Sequence, residues 1–103
     1  MRYTITGRNI DVTPGLREAV IEKIGKLERY FNQDTEAIIT LSVTKDRQKI
    51  EVTIPVKGHI IRAEEQSTDM YVSIDLVEEI IERQLKKYKR KLIDKKQAPV
   101  DFS

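Results

Sequence analysis

Three runs of alternating residues between Ile39 and Ala63 constrain this chain more than any other feature. Ile39, Leu41 and Val43 alternate with Thr40, Ser42 and Thr44. Ile50, Val52, Ile54 and Val56 alternate with Lys49, Glu51, Thr53 and Pro55. Ile61 and Ala63 begin a third run, which fades in the polar stretch Glu64 to Gln66. A period of two sends one set of side chains to a core and the other to water. Only Lys45 to Gln48 and Lys57 with Gly58 separate the runs. Such connections are too short for a crossover, so neighbouring strands must pair antiparallel. Pro55, with no N–H to give a ladder, suits an edge or a strand end.

The flanks read as helices. Tyr3 to Arg8 alternates and predicts a short first strand. Thr13 before Pro14 is a helix start, because Thr can accept from an orphan N–H and Pro at the first position loses no needed donor. Leu16, Val20, Ile24, Leu27 and Phe31 then follow helical spacing, predicting a helix to about Tyr30, weakened at Gly25 and closed by Asn32, Gln33 and Asp34. Thr68 or Asp69 caps a last helix to about Ile93, striped by Ile74, Val77, Ile81, Leu85, Tyr88 and Leu92. The expected fold is α+β, in the order β-α-β-β-β-α. A right-handed crossover sets the first strand beside the second in a four-stranded mixed sheet, and both helices pack on one face. The other face carries Thr, Ser, Lys and Glu toward water. Residues 1–94 form one domain; 95–103, containing Pro99, read as a flexible tail or the start of a linker.

The 103 residues include no cysteine, which excludes disulfides and cysteine-ligated metal centres. No stretch has signal-peptide or membrane-spanning length, so the expectation is a cytoplasmic protein with no membrane partner. A net charge of +2 conceals a sharp division. Glu64 to Glu82 holds seven acids and no base; Arg83 to Lys96 holds eight bases and one acid, Asp94.

That basic segment is the leading functional candidate. At helical spacing Arg83, Lys87 and Arg90 fall within about 60° of one another, almost opposite the apolar stripe. Lys86 and Lys91 flank them. Such a ridge suits nucleic-acid phosphates, which Arg can hold with paired hydrogen bonds. The same charges also suit a solvated helix, since early acids and late bases complement the macrodipole and Glu79 can pair with Arg83. Charge alone leaves both readings open. Lys26 and Arg29, with Lys23 at the margin, make a smaller cluster on the first helix, although Glu22 and Glu28 interleave.

Signals for catalysis are poor. His59 is the only histidine and sits beside a turn. Glu64 and Glu65 point to opposite faces of a strand. No histidine accompanies the acids Asp75, Glu78, Glu79 and Glu82, and the four glycines form no phosphate loop. No enzyme, metal, cofactor or small-molecule substrate is expected. No strand carries paired aromatics, so base stacking gives way to recognition of backbone and shape.

The segments GRNIDVTPGLREAVIEKIGKLERYF and DMYVSIDLVEEIIERQLKKYKRK resemble the ribosome hibernation-promoting factors, also called ribosome-associated inhibitors or protein Y. The likeness covers residues 2 to 93. Its most specific parts are K-L-E-R-Y at Lys26 to Tyr30, and D-M-Y-x-x-I-D followed by E-R-Q-L-x-K between Asp69 and Lys87. The resemblance implies a fold similar to double-stranded-RNA-binding domains. It implies binding to small-subunit rRNA at the decoding region, inhibition of translation and preservation of idle ribosomes. Carried over position by position, the rRNA contacts are Lys26, Arg29, Arg83, Lys87 and Arg90, with Lys23, Lys86 and Lys91 as weaker candidates. Ser73 departs from the Ala common in the family, and Gly25 interrupts a helix that usually lacks glycine. Long members carry a further domain that pairs two ribosomes, so dimerisation is expected only if such a domain follows this chain. A general binder of structured RNA and a protein-interaction module are the open alternatives.

Overall fold

The computed structural model describes residues 1–31, 34–56 and 58–96, with side chains described as far as Lys87. The chain runs through β1 (Arg2–Arg8), α1 (Pro14–Gly25), a 3-10 turn (Glu28–Tyr30), β2 (Glu36–Thr44), β3 (Arg47–Val56), β4 (His59–Ser67) and α2 (Met70–Lys96). The sheet order is β1-β2-β3-β4. β1 lies parallel to β2, and the other two pairs are antiparallel. The expected α+β arrangement is therefore present, with its mixed sheet.

Alternation sets the sheet's two faces. Ala37, Ile39 and Leu41 of β2, Ile50, Val52 and Ile54 of β3 and Ile61 of β4 point to one side and are buried. Leu16, Val20, Ile24 and Leu27 cover them from the first helical segment, and Met70, Ile74, Val77, Ile81 and Leu85 from α2. The open face carries Thr4, Thr6, Thr40, Ser42, Lys49, Glu51 and Thr53, as alternation predicts. Ile38 and Ile60 also lie there, exposed. Pro55 sits beyond the β2–β3 ladder, which ends at the pair Ile38 and Thr53, so its missing donor breaks no bond to β2.

Three element boundaries differ from the sequence expectation. α1 ends at Gly25 rather than near Tyr30. After Gly25 the backbone tightens to three-residue hydrogen bonds: Leu27 N to Ile24 O at 2.9 Å, and Tyr30 N to Leu27 O at 3.0 Å. Leu27 still reaches the core, because three-residue spacing serves both helix types. β4 continues through Ser67, since Glu64, Glu65 and Gln66 occupy an edge strand on which polar residues can face water. α2 continues through Lys96, past the last stripe residue, ending on Lys95 and Lys96, which favour helix. Asn32, Gln33, Lys57 and residues 97–103 lie outside the described residues, as do the side chains of Tyr88 and Leu92.

Local chemistry fixes both helix starts. The Thr13 hydroxyl accepts from Leu16 N at 3.2 Å, and the Asp69 carboxylate accepts from Tyr71 N at 2.9 Å. Buried Ser73 donates to the Gln48 carbonyl at 2.7 Å and lies 2.7 Å from the Ser67 hydroxyl. The Gln48 amide oxygen accepts from Met70 N at 3.1 Å. This polar knot ties the first turn of α2 to β3 and β4.

Candidate nucleic-acid interface

α1 and α2 run the same way along the sheet. Lys23 of α1 meets Asp75 at 3.0 Å, and Arg29, just past α1, meets Glu82 at 3.5 Å, so positions along both helices advance together. Both basic C-terminal ends therefore lie at the same end of the sheet. This is the arrangement that could join two small cationic clusters into one surface.

α2 presents three distinct columns beyond its buried stripe. Asp75, Glu78, Glu82 and Lys86 face α1 or pair with residues that do. Arg83 and Lys87 stand on the outward side, exposed. Ile80 and Gln84 face β4, where the Gln84 amide donates to the Arg62 carbonyl at 3.0 Å. The helical phase deduced for Arg83 and Lys87 thus agrees with their exposure. The backbones of Arg90 and Lys91 belong to α2, and their side chains lie outside the described residues.

The candidate cations divide by their partners. Lys23, Arg29 and Lys86 are all held by carboxylates of α2. The hydrogen bond to Asp75 holds the Lys23 ammonium above its usual range. The Arg29 guanidinium also lies 4.9 Å from the centre of the Tyr30 ring and donates to its hydroxyl at 3.2 Å. Lys26 is exposed and close enough to Glu78 to influence its titration. Among the described residues Arg83 and Lys87 carry no ion pair, and the possible pair of Glu79 with Arg83 is not formed within 4.0 Å.

Glu78 shows the field in this groove. Burial pushes its carboxyl above the usual range and the Glu82 charge adds to the shift, while Lys26 and Lys23 pull it back. Sequence reasoning missed the acids as members of the surface. Spacing on one helix can suggest the pair of Glu82 with Lys86, but not the pairs of Asp75 with Lys23 and Glu82 with Arg29, which cross to another element.

Arg83 and Lys87 are exposed on the outward side of α2, whereas Lys23, Arg29 and Lys86 could meet an anion only by giving up their carboxylate partners. Among the described residues no group of three or more His, Asp or Glu side chains could hold a metal ion. Nor is any described helix long and apolar enough to cross a membrane.

Residues 3–93 match the family described as Sigma 54 modulation protein / S30EA ribosomal protein. The chain is 48% identical over 95 residues to the ribosome hibernation promotion factor of Lactococcus lactis subsp. cremoris, covering 89% of this chain and 51% of that protein. It is 43% identical over 100 residues to the factor of the same name from Deinococcus radiodurans, covering 92% of this chain and 52% of that one. The chain thus spans about half the length of these curated relatives. Among solved structures, the Thermus thermophilus Protein Y N-terminal domain superposes with a TM-score of 0.78 at 29% identity, over 85% of this chain and 99% of that one. A ribosomal subunit interface protein from Coxiella burnetii gives 0.79 at 28% identity, over 87% and 99%.

Proposed function

The chain belongs to the Sigma 54 modulation protein / S30EA ribosomal protein family, and from that premise we propose that it is the ribosome-binding domain of a hibernation factor. It occupies the decoding region of the small subunit in the cytoplasm, keeps messenger and transfer RNA out, and preserves the idle ribosome. No bond is made or broken; inhibition is steric. The similarity to curated hibernation promotion factors at 43% identity or above carries the function.

The parallel helices support the surface. Lys26 and Arg29 form one wall, Arg83, Lys87 and Arg90 the other, with Lys23, Lys86 and Lys91 at the margins. Residues 1–94 act as the binding unit. Pairing of two ribosomes is not assigned to these residues and would need a further domain.

Contacts of this kind release counterions from RNA, so affinity falls steeply with salt. The test is cosedimentation with vacant small subunits and with subunits preloaded with messenger and initiator transfer RNA. The proposal expects binding to the vacant subunit and exclusion from the loaded one. Equal binding to both would refute occlusion of the decoding region. A free RNA duplex competing as well as the subunit would favour a general RNA binder instead.

A further inference from the structure

Glu82 occupies an unusual position among the candidate RNA contacts. Its Oε2 lies 3.5 Å from Arg29, and its Oε1 lies 3.5 Å from Lys86. One carboxylate thus spans a cation just past α1 and a cation on α2, one oxygen to each. An RNA phosphate that bridged the two walls would set its two free oxygens in the same way. Nearer the start of α2, Asp75 holds Lys23 through one oxygen at 3.0 Å and bridges no second cation among the described residues. In the free protein, Lys23, Arg29 and Lys86 are therefore already paired with carboxylates, while among the described residues Arg83 and Lys87 on the outer side carry no ion pair.

We propose that Glu82 is a specificity-determining residue, holding between Arg29 and Lys86 the place of an rRNA phosphate. This rests on the ribosome-binding reading above. RNA meeting only the outer cations gains Arg83 and Lys87 but leaves the inner pairs closed. RNA that presents a phosphate at the groove must displace Glu82, and like-charge repulsion opposes any partly seated phosphate. A folded rRNA surface that engages the outer row and the groove together can complete this exchange. A plain duplex that touches one row cannot. Glu82 lowers affinity for every RNA, but most for those that cannot offer the matching phosphate.

The test uses the wild-type chain and three variants, each first checked for a cooperative thermal transition. Glu82→Gln keeps the shape and removes the charge. Glu82→Asp keeps the charge but withdraws it by one methylene, so that it cannot span both cations. Asp46→Asn makes the same formal charge change in the β2–β3 turn, at the opposite end of the sheet. Affinity is measured at one salt concentration for a random-sequence RNA duplex and for vacant small subunits.

Exposed ion pairs are individually weak, so Glu82→Gln should tighten duplex binding by roughly three- to tenfold. Subunit binding should change less, and the ratio between the two should fall. Glu82→Asp should lower the ratio partway, and Asp46→Asn should leave it unchanged. The proposal is overturned if Glu82→Gln tightens both equally or does no more than Asp46→Asn, since net charge would then suffice. It is also overturned if Glu82→Gln weakens both, which would make Glu82 a support for Arg29 and Lys86. A Glu82→Asp variant identical to wild type would overturn the bridging geometry. Wild-type protein that prefers no subunit over duplex would instead sink the ribosome-binding reading, and this inference with it.

Discussion

Gly7 has no room for a side chain. A Cβ there would collide with the carbonyl oxygen of Ile10, because the chain folds back on β1 as it leaves the sheet. Relieving a backbone clash requires the connection to move, so Gly7→Ala should lower stability by about 1–3 kcal/mol in chemical denaturation. Ser73 is a different case. Its hydroxyl donates to the Gln48 carbonyl from a buried position. Ser73→Ala should destabilise by about 1 kcal/mol, because the carbonyl loses its donor. Glu78 gives a pH dependence. Its folded carboxyl titrates above the unfolded one, so the folded state holds the proton more tightly. Its unfavourable contribution is therefore absent below the ordinary Glu range and grows as pH rises through the folded pKa. Glu78→Gln should raise the thermal midpoint more at pH 7 than at pH 4; an equal rise at both would contradict this sign.

The elements show where spacing informs and where it misleads. Three alternating runs fix β2, β3 and most of β4, because a sheet with one wet face leaves that imprint. The inner ends were harder to read. Leu27 lies three residues after Ile24, a step compatible with a continued α-helix or with the 3-10 turn that actually forms. The strand pattern fades at the polar end of β4 because edge strands need no outward apolar residues. At Gly25 a Cβ would meet only the Tyr3 hydroxyl, at 3.4 Å, an ordinary contact. Gly25→Ala should thus stabilise by about 0.5–1 kcal/mol through helix propensity, with a higher denaturant midpoint as the readout. No change or a loss would show that the turn after α1 needs glycine. For the site, the outward phase of Arg83 and Lys87 was legible from one helix. The pairing of Lys23 with Asp75 and of Arg29 with Glu82 was not, because it depends on how two helices meet.

At the scale of the molecule, parallel packing turns two unremarkable charge clusters into one surface. A sheet protected on one face by two helices leaves their outer sides free, and both helices deliver cations to the same end. The chain's net charge of +2 hides this, because the acids of α2 balance it locally. The central claim is that both helices grip the same rRNA. Filter binding to vacant small subunits across a salt series tests it most directly, using Lys26→Glu/Arg29→Glu, Arg83→Glu/Lys87→Glu and the combined variant. Each pair of changes should weaken binding and flatten the slope of log affinity against log salt by roughly 2, with the combined variant flatter still. Wild-type affinity and slope in either double variant would contradict the account.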